Sequence, residues 1–326
     1  MQEKKRRWKW FVPAYIVLAA AFVLTFYLLD DPSVFFRAER AHEQPVYGAV
    51  FRSLDEPFYE QLNLLLEEAV ELQGGRLLTR TAGRDAGRQA VQIRELAAQG
   101  VRGLYVCVEN SEETALALRE VRHAGLPVVA LESAPTAEDC VDGLVVSDNW
   151  DIGRQLASWL IQNGGQGRLL LLTDGGLTAS AQRFAALRYS LQGSAGIEIA
   201  AEYDCGGRLE TAEELVAQAL AQGVAFDTVV AVNDRCAIGA LSALTDAGVR
   251  DVRVLGVDGE PQARQLVIAG FLSATLAQRT NELVDGAAWM MQQLESGDED
   301  MEREVLVEAR LIYPANTEYY GVDVWL

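Results

Sequence analysis

The sequence predicts an α/β protein whose body is divided into two doubly wound lobes. Short apolar runs rich in valine and leucine alternate with amphipathic segments of 12–18 residues, which is typical of parallel strands covered by helices. About ten such strands are more than one open sheet holds comfortably, and 326 residues are enough for two domains. We therefore expect two parallel sheets with helices on both faces of each.

The N-terminal segment predicts one membrane-spanning helix. Residues 1–10 carry five Lys or Arg and one Glu, and an uncharged stretch runs from Trp10 to Leu29. Twenty helical residues rise about 30 Å, the thickness of a bilayer core. The basic residues flank one side only, so we expect residues 1–9 to stay in the cytoplasm. Residues 10–29 would then be a single-pass signal anchor in the cell membrane, and the body would be extracytoplasmic. The alternative is a cleaved signal peptide, for which the apolar run is unusually long.

The charge of the body excludes one class of partner. The whole chain has a net charge of −19, and residues 1–10 contribute +4, so the remainder carries −23. Such a body repels phosphate backbones, and it lacks the basic stripe typical of nucleic-acid binding. We expect no nucleic-acid partner. Anionic ligands are also disfavoured, although a local basic pocket can override a global field.

The predicted elements follow in regular order after a polar tether over residues 30–45. Helices such as 57–73 carry apolar residues at i, i+3, i+4 and i+7. The strands are predicted at residues 47–53, 76–81, 103–108, 127–133 and 143–148, and then at 168–174, 197–203, 227–233, 252–258 and 271–278.

Polar and aromatic side chains follow the ends of these strands, where parallel sheets bind ligands. Planar polar groups can serve neighbouring hydroxyls, and the C–H face of a sugar packs on an aromatic ring. The pattern therefore predicts a site for a small neutral sugar or polyol. For Asp148, Asn149 and Asp234 a helix N-cap is at least as good an interpretation. The candidate ligand-binding residues are Glu56, Phe58, Tyr59, Glu132, Ser133, Arg183, Tyr203, Asn233, Asp258 and Gln278.

Catalytic and metal motifs are missing from the sequence. His42 and His123 are the only histidines, and no G-x-S-x-G, H-E-x-x-H or Walker motif occurs. The acidic run 297–304 lacks the ligand alternation of a calcium loop and is interpreted as a solvated turn. We expect a protein that is not an enzyme and that has no metal and no cofactor.

The chain contains four cysteines, all in the predicted extracytoplasmic body. They are Cys107, Cys140, Cys205 and Cys236, and their spacing fits neither a disulfide framework nor a metal motif. An oxidising compartment permits disulfides. Cys107 nevertheless ends an apolar strand and Cys236 opens a helix, so both are interpreted as small buried hydrophobic residues, and we expect no disulfide.

Between Pro45 and Ile312 the chain resembles the type I periplasmic binding proteins, in particular the ribose-type sugar-binding proteins. The matching stretches, in order, are LDEPFY, PVVALES, VSDN, TASAQRFAALRYSL, AVNDRCAIGALSAL, VLGVDGEP and AGFLSATLAQ. The resemblance implies two lobes joined by three crossings near Ser147, Gln278 and Val307. The lobes would comprise residues 46–147 plus 279–306 and residues 148–278 plus 307–313. Residues 314–326 form a tail that packs on the body or faces a partner.

The resemblance also implies roles for individual residues. Phe58 and Tyr59 would stack on the ligand, Tyr203 matches a position often held by an aromatic residue, and the remaining matches bind hydroxyls: Arg183, Asn233, Asp258 and Gln278. Two departures argue against ribose itself. Ribose binders usually carry Asn at the position of Glu56, and an Asp-Arg pair at the position of Glu132 and Ser133.

The function implied is a membrane-anchored receptor that closes around a sugar-like ligand. It would deliver the ligand to the permease of an ABC importer. The alternative is a sensing subunit that presents its closed state to a membrane sensor histidine kinase. DNA-binding repressors share this fold, but a membrane segment stands where their helix-turn-helix would be.

Overall fold

The computed structural model describes residues 44–163, 167–194, 196–298, 300–320 and residue 325. The predicted stub 1–9, the predicted membrane segment 10–29 and nearly all of the tether therefore lie outside the described residues. Among the residues that are described, no helix is long and apolar enough to cross a membrane.

The first lobe contains a sheet of six parallel strands. Helices α1 (Pro57–Leu72) and α9 (Thr280–Ser296) pack together, as do α2 (Ala86–Ala98) and α3 (Glu112–His123). The strands are β1 (Val46–Phe51), β2 (Arg76–Thr81), β3 (Leu104–Val106), β4 (Val128–Glu132), β5 (Gly143–Ser147) and β11 (Glu304–Val307), in the spatial order β11-β5-β4-β3-β1-β2.

The second lobe repeats this arrangement with one antiparallel strand at its edge, β12 against β10. Helix α4 (Asn149–Gln162) packs on α5 (Thr178–Leu191), α6 (Leu209–Ala221) packs on α7 (Asp234–Asp246), and α8 (Pro261–Ile268) lies against β10. The strands are β6 (Gly167–Thr173), β7 (Ile197–Asp204), β8 (Thr228–Ala231), β9 (Arg253–Asp258), β10 (Ala274–Ala277) and β12 (Arg310–Ile312), in the order β12-β10-β9-β8-β6-β7.

Strand β1 shows why the apolar runs are continuous rather than alternating. Tyr47, Ala49 and Phe51 lie in one hydrophobic core of the first lobe, with α1 and α9. Val50 lies in the other core, with α2 and α3. Successive side chains point to opposite faces of a strand, so a sheet buried on both faces needs apolar residues at nearly every position. This confirms the predicted α/β class with two parallel-sheet lobes.

Helix ends and close contacts between helices determine how neighbouring elements are oriented. Pro57 opens α1 at a position where its missing N–H costs nothing, and Asp148 caps α4 by accepting from the Asp151 amide at 2.8 Å. Within α4, a Cβ on Gly153 would overlap the carbonyl oxygen of Arg183. Glycine there lets α5 approach closely, and this close approach positions the first half of α5.

The chain passes between the two sheets three times, after β5, after β10 and between β11 and β12. Val307 pairs with Ser147 in the first sheet, so the last segment of the second lobe begins after Val307 rather than at it. The predicted strand 271–278 shortens to Ala274–Ala277, because the amides of Phe271 and Leu272 donate to the Leu266 carbonyl at 2.9 and 3.1 Å and close the preceding helix.

Candidate ligand-binding cleft

The carboxyl ends of strands from both sheets border one cavity between the lobes, with a volume of about 20 Å³. That is room for about one water molecule, so a sugar-sized ligand requires the lobes to open or the lining side chains to move. Eight of the ten predicted site residues line it: Glu56, Phe58, Tyr59, Glu132, Arg183, Asn233, Asp258 and Gln278. The other lining residues are Arg52, Asp174, Leu177, Ala179, Ser180 and Val232.

Backbone geometry marks the same place independently. Four described residues other than glycine have a positive φ, and two of them line this cavity: Glu132 at 76° and Asp258 at 120°. A third, Arg84 at 63°, pairs with the lining residue Glu56. Residues other than glycine rarely adopt a positive φ, because this backbone conformation costs free energy. Where such residues occur, they are often found at ligand-binding sites. Glu132 and Asp258 are the last residues of β4 and β9, so the strained backbone lies where these two strands reach the cleft.

The wall contributed by the first lobe combines aromatic rings with a buried acid. The Tyr59 hydroxyl donates to Glu132 Oε2 at 3.0 Å. Burial raises the pKa of Glu132 to about 6, although the Tyr59 hydrogen bond acts in the opposite direction. The Phe58 ring lies edge-on to Tyr59, with ring centroids 5.6 Å apart. The Phe58 ring also contacts the Trp325 ring, and the two ring centroids are 6.0 Å apart.

The wall contributed by the second lobe leaves one donor and one acceptor unused. Arg183 donates through Nη2 to Asn149 Oδ1 at 2.8 Å and through Nη1 to the Val232 carbonyl. Gln278 Nε2 donates to Asp258 Oδ1 at 2.7 Å. Both side chains are buried, and among the described residues neither Arg183 Nε nor Gln278 Oε1 has a hydrogen-bond partner. Such atoms in a cleft are suited to a ligand that both donates and accepts.

Three carboxyl groups lie at the end of β9 and the start of α7. Thr275 Oγ1 and the Glu260 amide donate to Asp234 at 2.7 and 2.8 Å. Burial is the main cause that raises the pKa of Asp234 to about 7 and that of Glu260 to about 8. Burial, and then Asp234 and Glu260, raise the pKa of Asp258 well above its ordinary value. The group therefore holds protons near neutral pH.

Charged side chains bridge the lobes at the cleft, and we call Arg52, Arg84 and Asp174 the clasp. From the first lobe, Arg52 Nη1 donates to Asp174 Oδ2 of the second lobe at 2.8 Å, and Arg84 Nη1 lies 3.5 Å from the same oxygen. Arg84 also donates to the Gly206 carbonyl of the second lobe. Within the first lobe, Arg52 pairs with Glu109 at 2.8 Å and Arg84 with Glu56 at 2.6 Å.

Burial and the clasp affect the pKa of Asp174 in opposite directions. Burial alone would raise it, but Arg52, together with Arg84, leaves it below its ordinary value. The carboxylate is therefore ionised at neutral pH. Both Asp174 and Arg52 are only 3% exposed, so the pair is shielded from solvent in this closed arrangement.

Hydrogen bonds between uncharged groups also join the two lobes, next to the clasp. The hydroxyls of Ser133 and Thr178 lie 3.0 Å apart, and Thr178 also donates to the Ala134 carbonyl at 2.6 Å. Asn110 Nδ2 reaches the Gly176 carbonyl at 3.3 Å. Ser133 thus joins the lobes and does not line the cavity.

Tyr203 is the other predicted site residue that the structure does not bring to the cavity. It pairs with Leu172 in the second sheet and packs partly against the core of that lobe. Asn233 lines the cavity and also caps α7, since its Oδ1 accepts from the Cys236 amide at 2.9 Å. The sequence reasoning missed Arg52 and Asp174. The available signals were a charge inside the apolar strand 47–53 and a carboxylate at the end of strand 168–174.

Within the part of the chain that the structure describes, no group of three or more His, Cys, Asp or Glu side chains is arranged to hold a metal ion. The polar groups of the cleft are mainly amides, carboxylates and guanidinium groups, most of which bond to one another. Once the lobes open, these groups offer hydrogen-bond donors and acceptors to a small polyhydroxylated molecule.

This fold and this cleft define a two-lobed α/β binding protein. The family model described as a periplasmic binding protein domain matches residues 47–299, and the chain belongs to this family. The body of such a protein is extracytoplasmic.

Comparisons with individual proteins agree with the family. The chain is 26% identical over 270 residues to the ribose import binding protein RbsB of Bacillus subtilis, covering 81% of this chain and 86% of that protein. A solute binding protein of an ABC transporter from Agrobacterium vitis, solved with bound allitol, is 25% identical, with a TM-score of 0.78 over 85% of this chain and 98% of that one. The fructose-binding periplasmic domain of a hybrid two-component system has the same fold, with a TM-score of 0.79 at 22% identity over 85% of this chain and 93% of that one.

Proposed function

We propose that this protein is a membrane-anchored receptor that closes around a small neutral sugar or polyol and delivers it to an ABC importer. The anchor is the apolar segment 10–29, whose length and one-sided basic flank support it. Residues 11–326 carry a net charge of −23, which argues against a nucleic-acid partner.

One observation carries the proposal. Arg183 Nε is a buried donor and Gln278 Oε1 a buried acceptor, and neither has a partner among the described residues of a cleft that both line. A hydroxyl group donates one hydrogen bond and accepts others, so the hydroxyl groups of a ligand can supply the acceptor that Arg183 Nε lacks and the donor that Gln278 Oε1 lacks. An apolar ligand would leave both unpaired, at a cost of about 1–3 kcal/mol each.

The relatives indicate the size and chemistry of the ligand. Their names and bound molecules are ribose, allitol and fructose, which are five- and six-carbon polyhydroxylated compounds. Ribose is disfavoured because Glu56 and Ser133 replace the Asn and Arg usual in ribose binders. Glu56 is moreover held by Arg84, and Ser133 joins the lobes through Thr178. We therefore infer an alditol, a cyclic polyol or a hexose.

Thermal unfolding of the full chain in detergent tests this proposal. The ligand panel is allitol, myo-inositol, fructose, allose and ribose, with the sugar acid glucuronate as the charged control. A ligand at about a thousandfold excess over its Kd stabilises by roughly 4 kcal/mol, which raises the Tm by several degrees. One neutral polyol that raises the Tm supports the proposal. No response from well-folded protein, or a response to glucuronate alone, contradicts it.

A variant then links the response to the cleft. Gln278→Ala should weaken binding of the responding polyol by roughly 10- to 100-fold, because it leaves a buried ligand hydroxyl and Asp258 without a hydrogen-bond partner. The matched control is Gln162→Ala, an exposed residue at the end of α4, which should bind like the wild type. Equal affinities of Gln278→Ala and the wild type would contradict this assignment.

A second candidate function is sensing, in which the closed state is presented to a sensor histidine kinase. It is favoured by the likeness to the fructose-binding domain of a two-component system. Cross-linking in membranes, with and without the responding polyol, separates the two. An importer receptor is captured with a permease, whereas a sensing subunit is captured with a kinase.

A further inference from the structure

The cysteine pair Cys205 and Cys236 is a feature that the proposed function does not use. Cys205 is the first residue after β7, and Cys236 is the third residue of α7. Their Sγ atoms lie 3.1 Å apart, and both side chains are buried, with exposures of 1% and 0%. The two thiols are unbonded in this structure and are in hydrogen-bond contact.

The backbones on both sides already hold the two residues in place. The Cys205 amide donates to the Thr173 carbonyl at 2.9 Å, and the Cys236 amide donates to Asn233 Oδ1 at 2.9 Å. A disulfide has an S–S length of about 2.05 Å. The sulfurs must therefore approach by about 1 Å, a movement within reach of a small side-chain rotation.

The other two cysteines differ in this respect and serve as internal controls. Cys107 and Cys140 belong to the first lobe, and both are buried. The Cys140 sulfur faces the carbonyls of Ala115 and Glu138, at 3.7 and 3.6 Å. Among the described residues, no other pair of cysteine sulfurs is in hydrogen-bond contact.

We propose that Cys205 and Cys236 form a structural disulfide in the extracytoplasmic body, while Cys107 and Cys140 remain thiols. One S–S bond forms as two S–H bonds break. The two protons go to solvent, and the two electrons reduce a small-molecule disulfide such as oxidised glutathione to two thiols. Because both sulfurs are buried in the folded state, the bond forms while the chain folds or during local opening. Its presence in cells rests on export of the body, which is part of the proposed function.

The surroundings of the pair favour this reaction and show what the bond fixes. The hydrogen bond with Cys236 lowers the pKa of the Cys205 thiol, and the thiolate is the form that attacks a disulfide. Next to Cys205, Gly206 and Gly207 have φ values of 57° and 69°. Their carbonyls accept from Arg84 of the clasp and from Asn233 Nδ2. The disulfide would tie this glycine loop to the first turn of α7 at the edge of the cleft.

Thiol mapping in vitro tests the disulfide separately from export and from sugar binding. The full chain in detergent is equilibrated with glutathione and its disulfide in mild urea, which allows local opening. It is then denatured, alkylated without reduction and digested for mass spectrometry. We expect alkylated Cys107 and Cys140, and a linked peptide pair from Cys205 and Cys236 that is two hydrogens lighter than the two thiol peptides. Alkylation of all four cysteines to the same extent would overturn the proposal.

Thermal unfolding gives a second measurement that does not depend on a variant folding well. Addition of a phosphine reductant should lower the Tm of the oxidised wild type by roughly 5 °C, because a disulfide constrains the unfolded chain. The same reductant should leave the Tm of the C205A/C236A double variant unchanged. A wild-type Tm that does not respond to the reductant counts against a structural disulfide.

Discussion

Removing the charge of Asp174 should open the unliganded protein. Asp174→Asn keeps the size of the side chain and the oxygen that accepts from the Gly176 amide at 3.0 Å, but it replaces a carboxylate that faces two guanidinium groups. In the closed form Arg52 and Asp174 are each 3% exposed. The opened lobes would separate the pair and hydrate both groups, so the substitution acts mainly on the closed state.

The size of the effect follows from the contacts that Arg52 keeps. A hydrogen bond to a charged group contributes about 1.5–3 kcal/mol, and removing one partner of a buried pair costs about 3–5 kcal/mol. Arg52 retains Glu109 at 2.8 Å, so the lower part of this range applies. A loss of about 2 kcal/mol reduces the ratio of closed to open molecules by roughly 30-fold.

The assay is the distance between spin labels on the two lobes, measured without sugar. Leu116 on α3 and Ile268 on α8 are exposed sites for the labels. The matched control is Glu120→Gln, which breaks an exposed pair with Arg94 inside the first lobe and should leave the distances unchanged. If Asp174→Asn gives the same distance distribution as this control, the reasoning about the clasp is wrong.

Two further predictions concern the buried acids and the tail. Burial raises the folded-state pKa of Glu260 to about 8, so its contribution to stability is complete below about pH 4.5 and is lost as the pH rises towards 8. Over this window the free energy of unfolding of the wild type should fall by up to about 1.4 kcal/mol per pH unit because of Glu260, and Glu260→Gln should remove that part of the fall. Parallel curves of Tm against pH for variant and wild type would exclude this cause. Trp325→Ala should lower the free energy of unfolding by about 1 kcal/mol in a denaturant titration, because Trp325 packs on Phe58. The control is Tyr319→Ala, which changes an exposed residue of the same tail. Equal losses of stability in the two variants would contradict a stabilising contact between Trp325 and Phe58.

The sequence was sufficient to predict the fold class because the relevant signal is local. A strand buried on both faces must be apolar along its whole length, and β1 shows both faces in use. Positions after strand ends were also informative, since eight of ten candidates line the cavity. Tyr203 shows where this reasoning stops. A position at a strand end does not determine which way the side chain points, and that of Tyr203 packs towards the core.

The parts of the site that the sequence did not predict depend on contacts between distant residues. Arg52 and Asp174 are 122 positions apart and lie in different lobes, so neither has a local signal for its partner. Asn233 shows a different limit, because an N-cap and a ligand-binding amide have the same sequence pattern, and here one residue has the geometry for both. Cys205 and Cys236 also lie far apart in the sequence, 31 positions, and their contact at 3.1 Å therefore has no local signal either.

The charges of the cleft explain why a neutral ligand suits it. Glu56, Glu132, Asp174 and Asp258 line the cavity, against Arg52 and Arg183. Arg52 already pairs with Asp174 and Glu109, so an anionic ligand would find only Arg183. Burial lowers the pKa of that guanidinium, while Asp258 and Glu132 act in the opposite direction. An anion would compete with those carboxylates and force them to keep their protons, whereas a polyol satisfies Arg183 Nε without adding charge. Hydroxyl groups therefore match two features of this cleft: its unpaired atoms and its balance of charge.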